Sequence, residues 1–98
     1  MLTLQDFEQS LKEKKLPKNI SVYLQSLWYD AVGDWKGAHR LIDSLSDAAA
    51  ASVHAYLHRV EGDNQNAKYW YNRAGKKMPA VSLKEEWEVL VKEFLEQG

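Results

Sequence analysis

The sequence predicts an all-α protein, a right-handed superhelix of two helical hairpins with a capping helix at each end. Two observations lead to this prediction. The pair Gly33-Asp34 recurs 29 residues later as Gly62-Asp63, and apolar residues surround both pairs in the same pattern. These apolar positions are three and four residues apart, the spacing that places side chains on one face of a helix. A hairpin cannot bury its apolar face alone, so such units stack and need caps.

The first predicted element is a capping helix over residues 3–16. Thr3 and Asp6 have the spacing of a helix cap, and Pro17 stops the helix because proline cannot continue it. The first hairpin is predicted over residues 19–46, and the recurring glycine-aspartate pair forms its turn.

The second hairpin is predicted over residues 47–75. In both hairpins the glycine takes the left-handed conformation that ends one helix, and the following aspartate caps the next helix. The last capping helix spans residues 82–96 and opens with the capping box Ser82-Glu85. We therefore expect six helices and a single domain over residues 1–98.

The composition excludes several classes of function. Thirteen basic and 14 acidic residues give a net charge of −1 without a basic stripe, so no binding to nucleic acid is expected. The chain has no cysteine, which removes disulfides, thiolate catalysis and zinc-thiolate sites. The first residues lack the pattern of a signal peptide and no stretch is long and apolar enough for a membrane span, which predicts a cytoplasmic protein. No cofactor-binding loop or nucleophile motif is recognisable, so we expect no cofactor and favour a non-enzymatic role.

The hairpins resemble the tetratricopeptide repeat. The positions that carry the resemblance are Gly62, Asp63, Ala67, Tyr71, Ala74 and Pro79, with Gly33, Asp34, Trp35 and Ala38 in the first copy. The resemblance implies a right-handed stack of hairpins that binds a protein or peptide. Two features depart from that repeat. The period is 29 residues instead of roughly 34. At four positions where the tetratricopeptide repeat has a large residue or a glycine, this chain has Ala51, His54, Ala55 and His58.

The chain also resembles a family of small uncharacterised proteins. The similarity covers roughly residues 24–95, and the segments HAYLHRVEGD and YWYNRAG carry most of it. This resemblance supports the helical fold and implies no activity or catalytic residue.

His54 and His58 are the sharpest candidates for a functional site. Residues four apart share a helix face, and two imidazoles at that spacing can chelate a divalent metal ion. Glu61 lies on the same stripe as a third ligand or a general base. The alternative is a packed structural pair, because both histidines border a second, small-residue face of their helix. Further potential ligands lie on other helices at distances that the sequence does not fix: Asp30, Asp34 and His39.

Two other pairs are candidate binding residues. The shift of 29 residues carries Asp30 onto Arg59, so these residues occupy equivalent positions on neighbouring helices. Facing each other, they would form a surface ion pair of little energetic value or the charged floor of a ligand groove. Tyr69 and Arg73 are four residues apart on the side of their helix opposite the apolar stripe, and both residue types are common in binding hot spots.

The preferred functional prediction is a protein- or peptide-binding scaffold without catalytic activity. The candidate contacts are Asp30, His54, His58, Arg59, Tyr69 and Arg73. One alternative is a small metal-binding protein or metal-dependent enzyme that uses His54 and His58. Another is a homodimer in which the last helix pairs with its copy through Trp87 and Phe94.

Overall fold

The protein is all-α. The computed structural model describes residues 2–97, and in that range it contains six α-helices and no strand. The helices are α1 (Leu4–Glu13), α2 (Val22–Ala31), α3 (Trp35–Ile42), α4 (Ala48–Val60), α5 (Asn64–Arg73) and α6 (Leu83–Gln97). The helices α2 and α3 form the first hairpin, α4 and α5 form the second, and α1 and α6 flank them.

The turns of the two hairpins are built alike. Gly33 and Gly62 have φ angles of 91° and 83°, in the left-handed region that favours glycine. The carboxylates of Asp34 and Asp63 accept hydrogen bonds from backbone N–H groups in the first turns of α3 and α5. The backbone N–H groups of the same aspartates donate 2.9 Å bonds to carbonyls of the preceding helices. The predicted roles of both glycine-aspartate pairs are confirmed.

The segment between α1 and α2 is longer than the sequence pattern indicates. The helix α1 ends at Glu13 because Lys14 is left-handed, with φ 55°, and its N–H bonds back to the last turn. Asn19 is also left-handed, with φ 60°, and the Ser21 side chain caps α2 by accepting a bond from Leu24 N. These local backbone conformations shorten both helices relative to the predicted ranges.

The helix α4 lies at the centre of the fold. It contacts α2, α3, α5 and α6, and every residue from Ala50 to His58 is buried. Its apolar side chains join the main core with residues of α1, α2, α3 and α6. A smaller cluster of Ala55, Ala67 and Tyr71 holds α5 against its other side, where the alanines allow close approach of the two helices.

The helix α6 closes the core over α2 and α4. The Trp87 ring is buried and donates a 3.0 Å hydrogen bond to the Leu27 carbonyl. Phe94 is also buried, and its ring stacks against Tyr23. The helix α6 contacts α1 as well as α2 and α4, so it covers the first helices of both hairpins. Among residues 2–97, no helix has the length and apolar content needed to cross a bilayer.

A substitution at Gly62 tests whether the left-handed backbone conformation is the reason for glycine at this turn. A Cβ atom at Gly62 would meet nothing within 4 Å, so Gly62→Ala should cost only the strain of a left-handed alanine, about 1 kcal/mol of the free energy of unfolding. Urea unfolding of the purified variant measures this loss. Gly62→Asn is the matched control and should lose less, because asparagine tolerates the left-handed region. Equal stability of the alanine variant and the original protein would contradict the argument.

Candidate functional site

The three histidines of the chain meet at one place between the two hairpins. His39 lies in α3, and His54 and His58 lie one turn apart in α4. Each ring offers a nitrogen atom, and these three atoms lie within 4.8 Å of one another. The Nε2 atoms of His39 and His54 are 2.8 Å apart, a hydrogen-bonding distance. The sequence singled out the pair on α4, and the structure adds His39 to it; we refer to the three residues as the histidine cluster.

Trp35 and Trp70 form the walls of the histidine cluster. The Trp35 ring stacks on His39, and its Nε1–H donates a 2.8 Å hydrogen bond to the Leu57 carbonyl. This bond ties the start of α3 to α4. On the other side, Trp70 of α5 stacks on His54 with ring centres 3.8 Å apart. The aromatic walls restrict the rotation of both imidazoles and hold their nitrogens towards the cluster.

Glu61 orients the ring of His58. Its Oε1 atom is 2.7 Å from Nδ1 of His58. Because a carboxylate accepts hydrogen bonds, the Nδ1–H group of His58 donates this bond. A carboxylate that fixes the imidazole of a metal ligand in this way is a common outer-shell arrangement. Glu61, expected as a third ligand or a base, thus bonds to the imidazole of His58.

His54 is deprotonated at neutral pH. It is 3% exposed, and burial lowers its pKa to about 4, with His39 and His58 adding unfavourable charge interactions. A neutral imidazole has one N–H and one lone pair. In the contact between His39 and His54, one Nε2 therefore donates and the other accepts.

The histidine cluster has the chemistry of a metal site. Neutral imidazole nitrogens bind Zn²⁺ at about 2.0–2.1 Å, so two ligands of a tetrahedral ion lie roughly 3.3 Å apart. The 2.8 Å contact between His39 and His54 is shorter because a proton lies between the nitrogens. An ion between these nitrogens would replace this proton and would require the two atoms to move apart by about half an ångström.

A second group of potential ligands shares His58 with the cluster. It consists of His58, Glu61 and Asp63, with one ligand atom from each within 4.8 Å of the others. The Asp63 carboxylate already accepts two hydrogen bonds from Asn66 as the cap of α5. Occupation of this group by an ion would disrupt the cap, so the histidine cluster is the better candidate.

Asp30 and Arg59 do not form the ion pair considered from the repeat. Arg59 instead bonds to Glu86 of α6, with Nη1 and Oε1 2.8 Å apart, and to the Val81 carbonyl. Asp30 lies near Tyr56, and burial raises the pKa of its carboxyl group. Both side chains serve the packing between helices.

Sequence reasoning missed Glu86. Its side chain is 8% exposed and also accepts a hydrogen bond from the Tyr71 hydroxyl. The sequence contains a sign that Glu86 is buried, because Glu86, Leu90 and Phe94 follow one another at four-residue spacing on the buried face of α6.

Tyr69 and Arg73 lie at the surface next to the histidine cluster. Tyr69 is 51% exposed, and its hydroxyl accepts a 3.2 Å bond from Nη1 of Arg73. The guanidinium of Arg73 also lies 5.2 Å from the ring centre of Trp70. Since Trp70 stacks on His54, this pair is connected to the cluster through one aromatic ring.

The depressed pKa of His54 predicts that the metal-free protein loses stability in acid. The pKa of His54 in the folded state is about 4, below the usual 6.5 of the unfolded chain. The stability that the neutral ring gives the folded state is therefore complete above pH 6.5, and it is lost as the pH falls towards 4. The loss should approach about 3 kcal/mol of the free energy of unfolding. Urea unfolding at pH 7 and pH 4 with a chelator measures it. His54→Gln should remove that part of the pH dependence, and an unchanged dependence would contradict the assignment.

Comparisons of the chain with models of protein families, with curated proteins and with solved structures gave no match.

Proposed function

We propose that this protein binds a divalent transition-metal ion through His39, His54 and His58. One observation carries the proposal: all three histidines of the chain, from two different hairpins, bring ring nitrogens within 4.8 Å of one another. The sequence-based alternative of a metal site on α4 thus gains a third nitrogen ligand from α3.

The alternative of a purely structural cluster accounts for less of the geometry. Packing explains why the buried His54 stacks on Trp70, and one hydrogen bond satisfies it. It does not by itself bring one ring nitrogen from each of the three histidines within 4.8 Å of the other two. Charge on His39 or His58 would repel charge on His54, whereas an ion turns imidazole lone pairs into favourable contacts.

The ligand set favours zinc, nickel or copper. Imidazole suits these borderline ions, while magnesium and calcium prefer oxygen ligands. Three protein ligands leave one position of a tetrahedral ion for water or another molecule, as in catalytic zinc sites. The outer-shell bond from Glu61 to His58 supports the same assignment.

Metal binding should stabilise the protein. With free Zn²⁺ or Ni²⁺ at a hundred times the dissociation constant, the free energy of unfolding should rise by about 2.7 kcal/mol. The measurement is the melting temperature of protein from which any histidine tag has been removed, with calorimetry to obtain stoichiometry and affinity. We expect one ion per chain.

Variants at His39 test the site with little risk to folding, because its side chain is 24% exposed. His39→Gln should remove most of the metal-dependent rise in melting temperature, and Glu61→Gln should weaken binding by about tenfold. Arg40→Gln, at the exposed neighbour on α3, is the matched control and should behave as the original protein. The proposal fails when neither ion shifts the melting temperature, or when His39→Gln binds as tightly as the original protein.

A protein- or peptide-binding scaffold of tetratricopeptide type, in the cytoplasm, is the second candidate. The exposed Tyr69 and Arg73 support it, because tyrosine and arginine at a surface are typical of binding hot spots. A homodimer through α6 has less support, since Trp87 and Phe94 are buried in the core of the same chain. A dimer would have to use other side chains of that helix, such as the exposed Val89.

The scaffold hypothesis predicts a partner whose capture depends on Tyr69. Immobilised protein should retain that partner from a native extract, and Tyr69→Ala should reduce its recovery severalfold. Lys36→Ala, an exposed position on α3, is the matched control. Equal recovery with both variants would show that the exposed tyrosine does not bind the captured protein.

A further inference from the structure

We infer that Asp43 is the fourth ligand of the metal site, so that the chain encloses the bound ion and the ion has a structural role. This inference rests on the proposed metal binding and specifies how the site is completed. Three imidazoles leave one position of a tetrahedral ion open. The carboxylate that follows His39 by one helical turn fills it.

Two pairs of potential ligands come from two helices. His39 and Asp43 are four residues apart at the end of α3, as His54 and His58 are on α4. Asp43 keeps a helical backbone conformation, with φ −61° and ψ −36°, so its side chain leaves the helix on the same face as His39. The contact between α3 and α4 brings the two pairs together, and each helix then supplies two ligands to one ion.

The Asp43 carboxylate lies beside a nitrogen of the histidine cluster. Its Oδ1 atom is 3.7 Å from Nε2 of His39, the same nitrogen that lies 2.8 Å from Nε2 of His54. A nitrogen and an oxygen bound to one tetrahedral Zn²⁺ are roughly 3.4 Å apart, so His39 and Asp43 are already near the spacing of two ligands. The carboxylate is not among the ligand atoms that lie within 4.8 Å of one another, so it has to turn towards α4 when the ion binds. The side chain is 61% exposed, which leaves it free to make this rotation.

The charge of Asp43 acts on the buried part of the cluster. Burial and positive charge on the other two histidines lower the pKa of His54, whereas the negative charge of Asp43 acts in the opposite direction. Imidazole ligands are neutral, so an ion bound by histidines alone keeps its full double charge. Because uncompensated charge is costly in the interior, a carboxylate ligand lowers the cost of placing the ion beside the buried His54.

Helix capping does not account for an aspartate at this position. Asp34, Asp47 and Asp63 each precede a helix, and their side chains accept a hydrogen bond from an N–H group of its first turn. Asp43 instead follows the last turn of α3, where the helix dipole disfavours a carboxylate. A bound ion supplies the favourable interaction that the helix does not.

The test uses Co²⁺ bound to the untagged full chain, because its visible absorption reports a change of ligand. An ion with four protein ligands has no position for an added anion, so azide should leave the spectrum of the original protein unchanged. Asp43→Ala should weaken Co²⁺ binding by about tenfold or more, since the loss of an outer-shell partner already costs that much. Azide should change the spectrum of this variant, because its fourth position is open. Asp43→His supplies another ligand and should restore both the affinity and the insensitivity to azide.

Glu96→Gln is the matched control, since it removes an exposed carboxylate from α6, and it should behave as the original protein. Failure of Co²⁺ to bind the original protein would overturn the proposed function and this inference with it. Co²⁺ binding with a spectrum that azide changes in the original protein would show an open fourth position and overturn only the role of Asp43. Weaker binding by Asp43→Ala without a response to azide would show that the carboxylate attracts the ion from a distance, which also overturns its role as a ligand.

Discussion

The burial of α4 on every side governs the rest of the structure. A helix that is surrounded by neighbours must find an internal partner for each polar side chain, because an unpaired polar group in the interior is costly. Ser52 bonds to the Ala48 carbonyl, His54 to His39, and His58 to Glu61. Within residues 2–97, no buried side-chain nitrogen or oxygen lacks a partner. The histidine cluster is thus a direct product of placing two imidazoles on the central helix.

The sequence predicted features that local backbone chemistry determines. The turns at Gly33 and Gly62 follow from the left-handed conformation and the aspartate caps, which involve only a few adjacent residues. The position of His39 was not predictable, because it depends on how α3 crosses α4, and a repeat period contains no information about that crossing. The partner of Arg59 was not predictable for the same reason, because Glu86 lies on α6, outside the repeated unit.

The differences between the two hairpins are concentrated at the histidine cluster. The equivalents of His54 and His58 in the first hairpin are Gln25 and Tyr29. The amide nitrogen of Gln25 donates a local hydrogen bond to the Ile20 carbonyl. The repeat therefore supplies the core and the turns, while the imidazoles are placed differently in the two copies: His39 on the second helix of the first hairpin, and His54 and His58 on the first helix of the second. Within residues 2–97, the three imidazoles meet at the junction between the first and second hairpins.

The unequal exposure of the three histidines has a kinetic consequence. Two of the rings belong to the central helix and can turn away only if the core opens, while His39 belongs to the eight-residue α3 and is partly exposed. Short helices at a surface open locally far more often than a whole domain unfolds. An ion held by these residues would therefore enter and leave through motion of α3 alone. The residence time of the ion would then be set by one small helix, independently of the stability of the fold.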